Sequence, residues 1–186
     1  ILGFSRFSIQ KPSTRVHPYD STFQSLVKDS GNISSSHKFA QVIVNGEDWG
    51  IMNIEEHISK ELLEKQNKKE SIVVKFGSGE KWLYQNTSNI PYKEYKLSDS
   101  IIYSHLYNEK SLKEELNRKM YSYVKNNRLL TNNIYDNDSF SQALILSLVW
   151  GSSHVLEDHN IKYYFNPFTL ILEPIILDQE KWSKLD

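Results

Sequence analysis

The chain contains no cysteine, so disulfide bonds, thiolate metal sites and cysteine nucleophiles are all excluded. Glycine and proline are scarce, at 7 and 5 of 186 residues, and no Gly-rich phosphate-binding loop is visible. No apolar run approaches the roughly 20 residues that a membrane-spanning helix needs. The longest, residues 143–150, is far too short. The sequence therefore predicts a domain with no membrane segment in this chain.

The charge balance favours no polyanionic partner. The net charge is -1 and the pI is about 6.7, which predicts no nucleic-acid binding and no binding to an acidic membrane. The length suits one domain or two small lobes that share a cleft. The chain begins with Ile1, inside a segment that reads as a strand, and no signal peptide is visible. We expect it to be a fragment of a longer protein.

The first part of the chain predicts a small lobe of mixed strands and helices. Its clearest signal is Asn45-Gly46, a pair that favours a tight hairpin turn between two β-rich runs. A helix is expected after the hairpin, with Glu55 and Glu56 in its first turn. The predicted strands cover residues 4–10, 39–44, 49–54 and 71–76, and the predicted helices cover residues 19–27 and 55–67.

The second part of the chain predicts helices followed by a hairpin. Capping boxes predict helices over residues 111–124 and 139–150, and the latter is apolar nearly all round and expected to be buried. After a polar loop, two strands flank the turn at residues 166–169. The sequence predicts an α+β fold with two parts, residues 1–80 and 81–186.

Candidate metal ligands surround the predicted hairpin. The hairpin would return the chain to its starting point and bring Asp178 close to Asn160. Carboxylate and amide oxygens are the ligands that Mg²⁺ or Mn²⁺ prefers. The loop before the hairpin carries further polar groups: His154, Glu157, Asp158 and His159. Glu173, inside an apolar strand, is expected to be a paired, partly buried carboxylate.

A protein kinase combines a loop Asn and a later Asp, which hold metal, with a strand cation that grips phosphate and a helix acid that orients the cation. Here Asn160 and Asp178 match the first pair. The candidates for the second pair are Glu55 and Glu56 as acids and Arg6, Lys11 and Lys75 as cations.

Short ordered motifs from about residue 3 to residue 178 resemble those of CotH kinase-like proteins, named for a spore-coat protein. The first half carries FSIQKP at 7–12, VNGEDWGI at 44–51 and EEH at 55–57. The second half carries Gly151-x-x-His154, His159-Asn160-x-x-x-Tyr164-x-Asn166-Pro167 and Glu173-Pro174-Ile175-x-x-Asp178.

This resemblance implies an atypical, bilobal protein-kinase-like fold with a small β-rich N-lobe and a mainly helical C-lobe that carries the hairpin on its catalytic side. It implies ATP and a divalent metal as cofactors, phosphate transfer to Ser or Thr of a protein, and a cell-surface or coat association. On this reading Asn160 and Asp178 hold metal, while Glu56 pairs with Arg6 where the nucleotide binds.

The motifs depart from the kinase pattern at the catalytic base. Val155 occupies the position five residues before Asn160, so His154 and Asp158 are the candidates for accepting a proton. Two alternatives stay open: a non-catalytic scaffold or surface module with the same fold, and a metal-dependent hydrolase that uses His154, Asp158, His159 and Asp178. The sequence indicates neither the phosphate acceptor nor the oligomeric state.

Overall fold

A computed structural model describes residues 2–75, 101–103, 134–157 and 160–184. Within these residues the chain forms small antiparallel sheets and a few helices, and it is an α+β protein as predicted. The first sheet has the strand order β1-β3-β2. Its strands are β1 (Phe7–Gln10), β2 (His37–Val44) and β3 (Glu47–Glu56).

The predicted hairpin between β2 and β3 is confirmed. Asn45 and Gly46 have φ angles of 53° and 87°, the left-handed pair that a tight hairpin turn requires. The central strand β3 pairs with β1 and β2 on its two sides, with Phe7 opposite Glu56 and His37 opposite Glu55. It therefore continues through both glutamates.

The prediction that Glu55 and Glu56 open a helix is wrong. The helix α2 spans Lys60–Lys65, and Ser59 caps it by accepting a hydrogen bond from the Leu62 N–H at 3.2 Å. Strand partners on both sides of β3 satisfy the backbone groups at residues 55 and 56, which a helix start would have left unpaired.

The helix α1 spans Tyr19–Asp29, as the sequence predicted. Its Phe23 and Val27 are fully buried in the main hydrophobic cluster. The sequence offers Asp20 or Ser21 as the cap of this helix, but the residue before the helix is Pro18 and no side chain caps it, so that assignment is wrong. Asp20 is instead a buried carboxylate near the C-terminal segment.

The second sheet has the order β5-β4-β6-β7 and joins distant parts of the chain. The early strand β4 (Val73–Lys75) pairs with the late strand β6, with Val73 opposite Tyr164. The predicted late hairpin is confirmed as β6 (Lys162–Phe165) and β7 (Leu172–Ile175), and β5 spans Ile101–Tyr103.

The helix α3 spans Asn137–Trp150 and begins earlier than predicted, because Asp136 accepts the Ser139 N–H at 3.0 Å. Only one side contacts the core, so the expected complete burial is wrong. Leu144, Ile145, Leu148 and Val149 are exposed. The helix predicted over residues 111–124 lies outside the described residues. Among those described, no helix is long and apolar enough to cross a membrane.

Candidate functional site

A cavity of about 430 Å³ lies where the end of β3 meets the start of β6 and the segment after β7. It brings together six candidate residues named from the sequence: Arg6, Glu55, Glu56, Lys75, Asn160 and Asp178. The remaining described lining residues are Arg15, His57, Ile58, Lys162 and Leu177. Charged side chains of both signs therefore surround one space.

Arg15 connects two carboxylates across this cavity. Its Nε donates to Glu55 Oε2 at 2.8 Å, and its Nη1 donates to Asp178 Oδ1. Gln10 Nε2 donates to the same Glu55 oxygen at 2.5 Å. Burial alone would lower the pKa of Arg15, but the charges and hydrogen bonds of Glu55 and Asp178 outweigh it and raise that pKa. The guanidinium stays charged.

Arg15 was not found by sequence reasoning. It ends a short 3-10 helix, Pro12–Arg15, in a segment that the sequence marks only as a break after β1. No periodicity or motif distinguishes it from other surface arginines. Its role follows from a contact across 163 positions of the chain, to Asp178, which no local pattern encodes.

Glu56 lines the cavity, yet its ion pair in the structure is with Lys65 of α2. The Lys65 Nζ donates to Glu56 Oε1 at 2.5 Å, and also to the carbonyl oxygen of Gly3 at 2.6 Å. The side chain of Glu56 is 1% exposed. The carboxylate linked to Asp178 is instead that of Glu55, the preceding residue on β3.

Asp178 has a left-handed backbone, with a φ of 66°, and its side chain is 45% exposed at the cavity. The backbone of the next residue is held in place, because the Gln179 N–H donates to Asp20 Oδ1 at 2.9 Å. Gln179 and Asp20 are each 1% exposed. The buried hydrogen bond therefore holds the segment that presents Asp178.

Asp20 and His37 form a buried titratable pair. The His37 Nε2 lies 3.6 Å from Asp20 Oδ2, too far for a hydrogen bond, and Nε2 has no hydrogen-bond partner among the residues that the structure describes. Burial raises the pKa of Asp20 to about 7, against the lowering effect of the Gln179 N–H. Burial also lowers the pKa of His37. Both changes favour neutral forms.

Asn160 is 9% exposed, and its Nδ2 donates to the carbonyl oxygen of His154 at 2.9 Å. Oδ1, the atom that a cation would take, has no hydrogen bond in the described part of the chain. His154 itself is not among the cavity's described lining residues, and its Nδ1 lies 3.7 Å from Glu180 Oε1. The His154 side chain therefore lies outside the cavity that Asn160 lines.

Three further candidates from the sequence are not among the cavity's described lining residues. Asp158 and His159 fall outside the described residues, so the proposed role of Asp158 stays a prediction. Glu173 is 5% exposed and paired, as expected: Lys68 Nζ donates to it at 2.5 Å and Asn166 Nδ2 at 2.7 Å. These contacts tie the turn between β6 and β7 to the segment after α2, away from the cavity.

The side-chain oxygen atoms of the cavity could bind a metal ion in only one kind of site. Within the described residues, no group of three or more His, Cys, Asp or Glu side chains could hold a metal ion. An all-protein cage is therefore not present there. Mg²⁺, however, is commonly held by one or two protein oxygens together with substrate phosphates and water. Asn160 Oδ1 and the half-exposed carboxylate of Asp178 fit that type of site.

Lys75 and Lys162 supply positive charge to the same cavity from adjacent strands. Continuing the β4–β6 register beyond Val74 and Tyr163 brings these two lysines opposite each other. Burial lowers the pKa of Lys162, and the charge of Lys75 lowers it further. Among the described residues, neither lysine side chain forms a hydrogen bond or an ion pair.

The structure defines an α+β protein with a charge-lined cavity at the junction of its two sheets. Comparison with known families then gives a specific match: the model of the CotH kinase protein family matches residues 20–164. The chain belongs to this family, as the sequence motifs indicated. The matched segment includes Glu55, Glu56 and Asn160, whereas Arg15 and Asp178 lie outside it. Comparison with curated proteins gives no match.

Proposed function

We propose that the chain is the kinase-like phosphotransferase part of a bilobal protein, which binds ATP with Mg²⁺ or Mn²⁺ in the cavity and phosphorylates Ser or Thr of a protein. Residues 1–80 would provide the N-lobe and residues 81–186 the C-lobe. Membership of the CotH kinase family supports the reaction class. The observation that carries the site is the convergence of Asn160, Asp178 and several cations on one cavity.

Asn160 Oδ1 and the Asp178 carboxylate would hold the metal. The ion would supply charge neutralisation at the phosphates of the nucleotide. Arg15 keeps Asp178 oriented across the cavity through its bond to Glu55. The hydrogen bond from Gln179 to Asp20 fixes the backbone behind Asp178. Together these contacts position the carboxylate before any ligand enters.

Proton acceptance is assigned to Asp158 or His154. Asp158 lies two positions before Asn160 in the sequence, which keeps it a candidate base for the acceptor hydroxyl. His154 is held by the loop near Glu180, so it would reach the acceptor only by turning away from that carboxylate. On this account Asp158 is the preferred base, and His154 mainly orders the loop through its carbonyl oxygen.

A second candidate function is a non-catalytic scaffold with the same fold. Two observations favour it: Arg15 occupies the Asp178 carboxylate, and His154 does not line the cavity. In this case the ion pair would be a structural replacement for the metal. The metal-dependent hydrolase has less support, because His154 and Asp178 have separate partners, Glu180 and Arg15.

A phosphotransfer assay separates the two leading functions. Radiolabelled ATP and Mg²⁺ are incubated with the protein and a generic Ser/Thr substrate, and transfer is compared with that of Asp178→Asn. Glu180→Gln is the matched control, because that carboxylate lies near the same segment but outside the cavity lining. We expect a loss of about 100-fold or more in Asp178→Asn only. Magnesium-dependent ATP binding without transfer would support the scaffold.

A further inference from the structure

Lys75 and Lys162 are two lysines of the cavity whose side chains form no ion pair with the described residues. They belong to adjacent strands, β4 and β6, whose register brings them opposite each other at the cavity. Neither forms an ion pair within the described residues, although three carboxylates line the same space. Two ammonium groups in such a place repel each other.

The carboxylates that would balance these lysines are already engaged. Glu55 and Asp178 share Arg15, and Glu56 is bonded to Lys65. Within the described residues, the lysine charge is therefore left for a ligand.

We infer that Lys75 and Lys162 form a phosphate-binding subsite that works without a metal and holds the phosphate chain of a nucleotide. A phosphate group carries about two negative charges and several acceptor oxygens, so it can receive hydrogen bonds from both amines at once. A single carboxylate would balance only one of them. This inference rests on the proposed function and adds to it a contact that does not depend on Asn160 or Asp178.

Inorganic pyrophosphate in the presence of EDTA is a suitable probe, because it has the phosphate chain without the nucleoside and the chelator removes the metal. Its affinity is measured by calorimetry for the wild type, Lys75→Met and Lys162→Met. Methionine keeps most of the aliphatic stem. Lys28→Met is the matched control, since Lys28 is an exposed lysine of α1 outside this cavity. Lys162→Arg tests whether the charge suffices.

We expect pyrophosphate binding to the wild type, a loss of at least tenfold in each cavity variant, no change in Lys28→Met and substantial retention in Lys162→Arg. Equal losses in Lys28→Met and Lys162→Met would overturn the inference, because they would indicate unspecific surface charge. Failure of the wild type to bind pyrophosphate would overturn it as well. Circular dichroism tests whether each variant is folded. If Lys162→Met does not fold, the pyrophosphate affinity of Lys75→Met alone decides whether the subsite exists.

A competition experiment identifies the source of the phosphate. Pyrophosphate that displaces Mg-ATP supports the assignment to the nucleotide, whereas simultaneous binding of both would overturn it. The proposed function can fail separately. If the affinity for ATP does not depend on magnesium while pyrophosphate binding requires both lysines, the metal site is rejected and the lysine subsite is retained. Unchanged Mg-ATP affinity in Lys162→Met would reject the subsite alone.

Discussion

At the level of single residues, Arg15 has the most consequential contacts in the cavity. It joins a nearly buried carboxylate, Glu55, to a half-exposed one, Asp178. The first contact resembles an interior ion pair, whose removal leaves a buried charge uncompensated, while the second is open to competition from a cation or water. Arg15 therefore both stabilises the first sheet and limits the access of a metal to Asp178.

Replacing Arg15 by Gln should lower the free energy of unfolding by about 1–3 kcal/mol, because Glu55 loses its charged partner. The affinity for Mg²⁺ alone should rise, because Asp178 is released. Urea denaturation and metal titration measure the two effects. A double-mutant cycle with Glu55→Gln is the control, and it should show a coupling well above zero. Independent effects of the two changes would contradict the ion pair described here.

The buried Asp20 gives a prediction about pH. Its pKa rises from 3.8 to about 7 on folding, so between these values the native state holds a proton that the unfolded state lacks. Stability from this group is complete below the lower pKa and is lost as pH rises to the upper one. Relative to Asp20→Asn, the free energy of unfolding of the wild type should fall by up to about 1.4 kcal/mol for each unit of rising pH in this window.

Asp20→Asn is a close match because the amide oxygen can still accept the Gln179 N–H. The lowered pKa of His37 produces a slope of opposite sign, and because His37 lies beside Asp20 the difference between the two proteins reports the titration of the pair. Urea denaturation at several pH values gives the two curves. Parallel curves across the window would mean that Asp20 keeps its ordinary pKa in the folded protein.

At the level of secondary-structure elements, the end of α3 is tied to the C-terminal segment. Gly151 ends the helix with a φ of 74°, and a Cβ there would lie 2.1 Å from the carbonyl oxygen of Ser183. Ser183 also donates from N–H to the Trp150 carbonyl at 3.1 Å and from Oγ to the Gly151 carbonyl at 2.6 Å. The glycine thus allows the segment after Asp178 to cross the helix end closely.

Gly151→Ala should therefore destabilise the protein far more than Gly31→Ala. Both glycines follow a helix with positive φ, which costs an alanine about 1 kcal/mol at either place. At Gly151 the added Cβ would also clash with the backbone of Ser183, whereas at Gly31 none of the described residues lies within 4 Å of it. Thermal unfolding compares the two. Equal losses would show that the C-terminal segment does not pack on the helix end.

The elements themselves were largely predictable where the signal is local. Asn45-Gly46 specified its hairpin, and the apolar spacing of Phe23 and Val27 specified α1. The extension of β3 through Glu55 and Glu56 was not predictable, because it depends on pairing with β1 and β2 across the sheet. In the candidate site, the six predicted lining residues came from the kinase-like order of charged groups and motifs, while Arg15 depends on a long-range contact.

At the level of the whole molecule, the second sheet connects the two predicted parts of the chain. The strand β4 comes from the first part, and β6 and β7 come from the second. Their junction brings Lys75 to the same cavity as Lys162 and Asp178. The cavity is therefore a product of the tertiary fold, and its charges belong to segments far apart in sequence.

Calorimetric titration of ATP into the protein, with Mg²⁺ and then with EDTA, measures whether the cavity holds a nucleotide together with a metal. We expect Mg²⁺ to strengthen ATP binding at least tenfold, Asp178→Asn to remove this gain and Glu180→Gln to retain it, because Asp178 lines the cavity beside Asn160 and Glu180 is not among its described lining residues. ATP affinity that is the same with and without Mg²⁺, or an Asp178→Asn variant that keeps the full gain, would contradict this expectation.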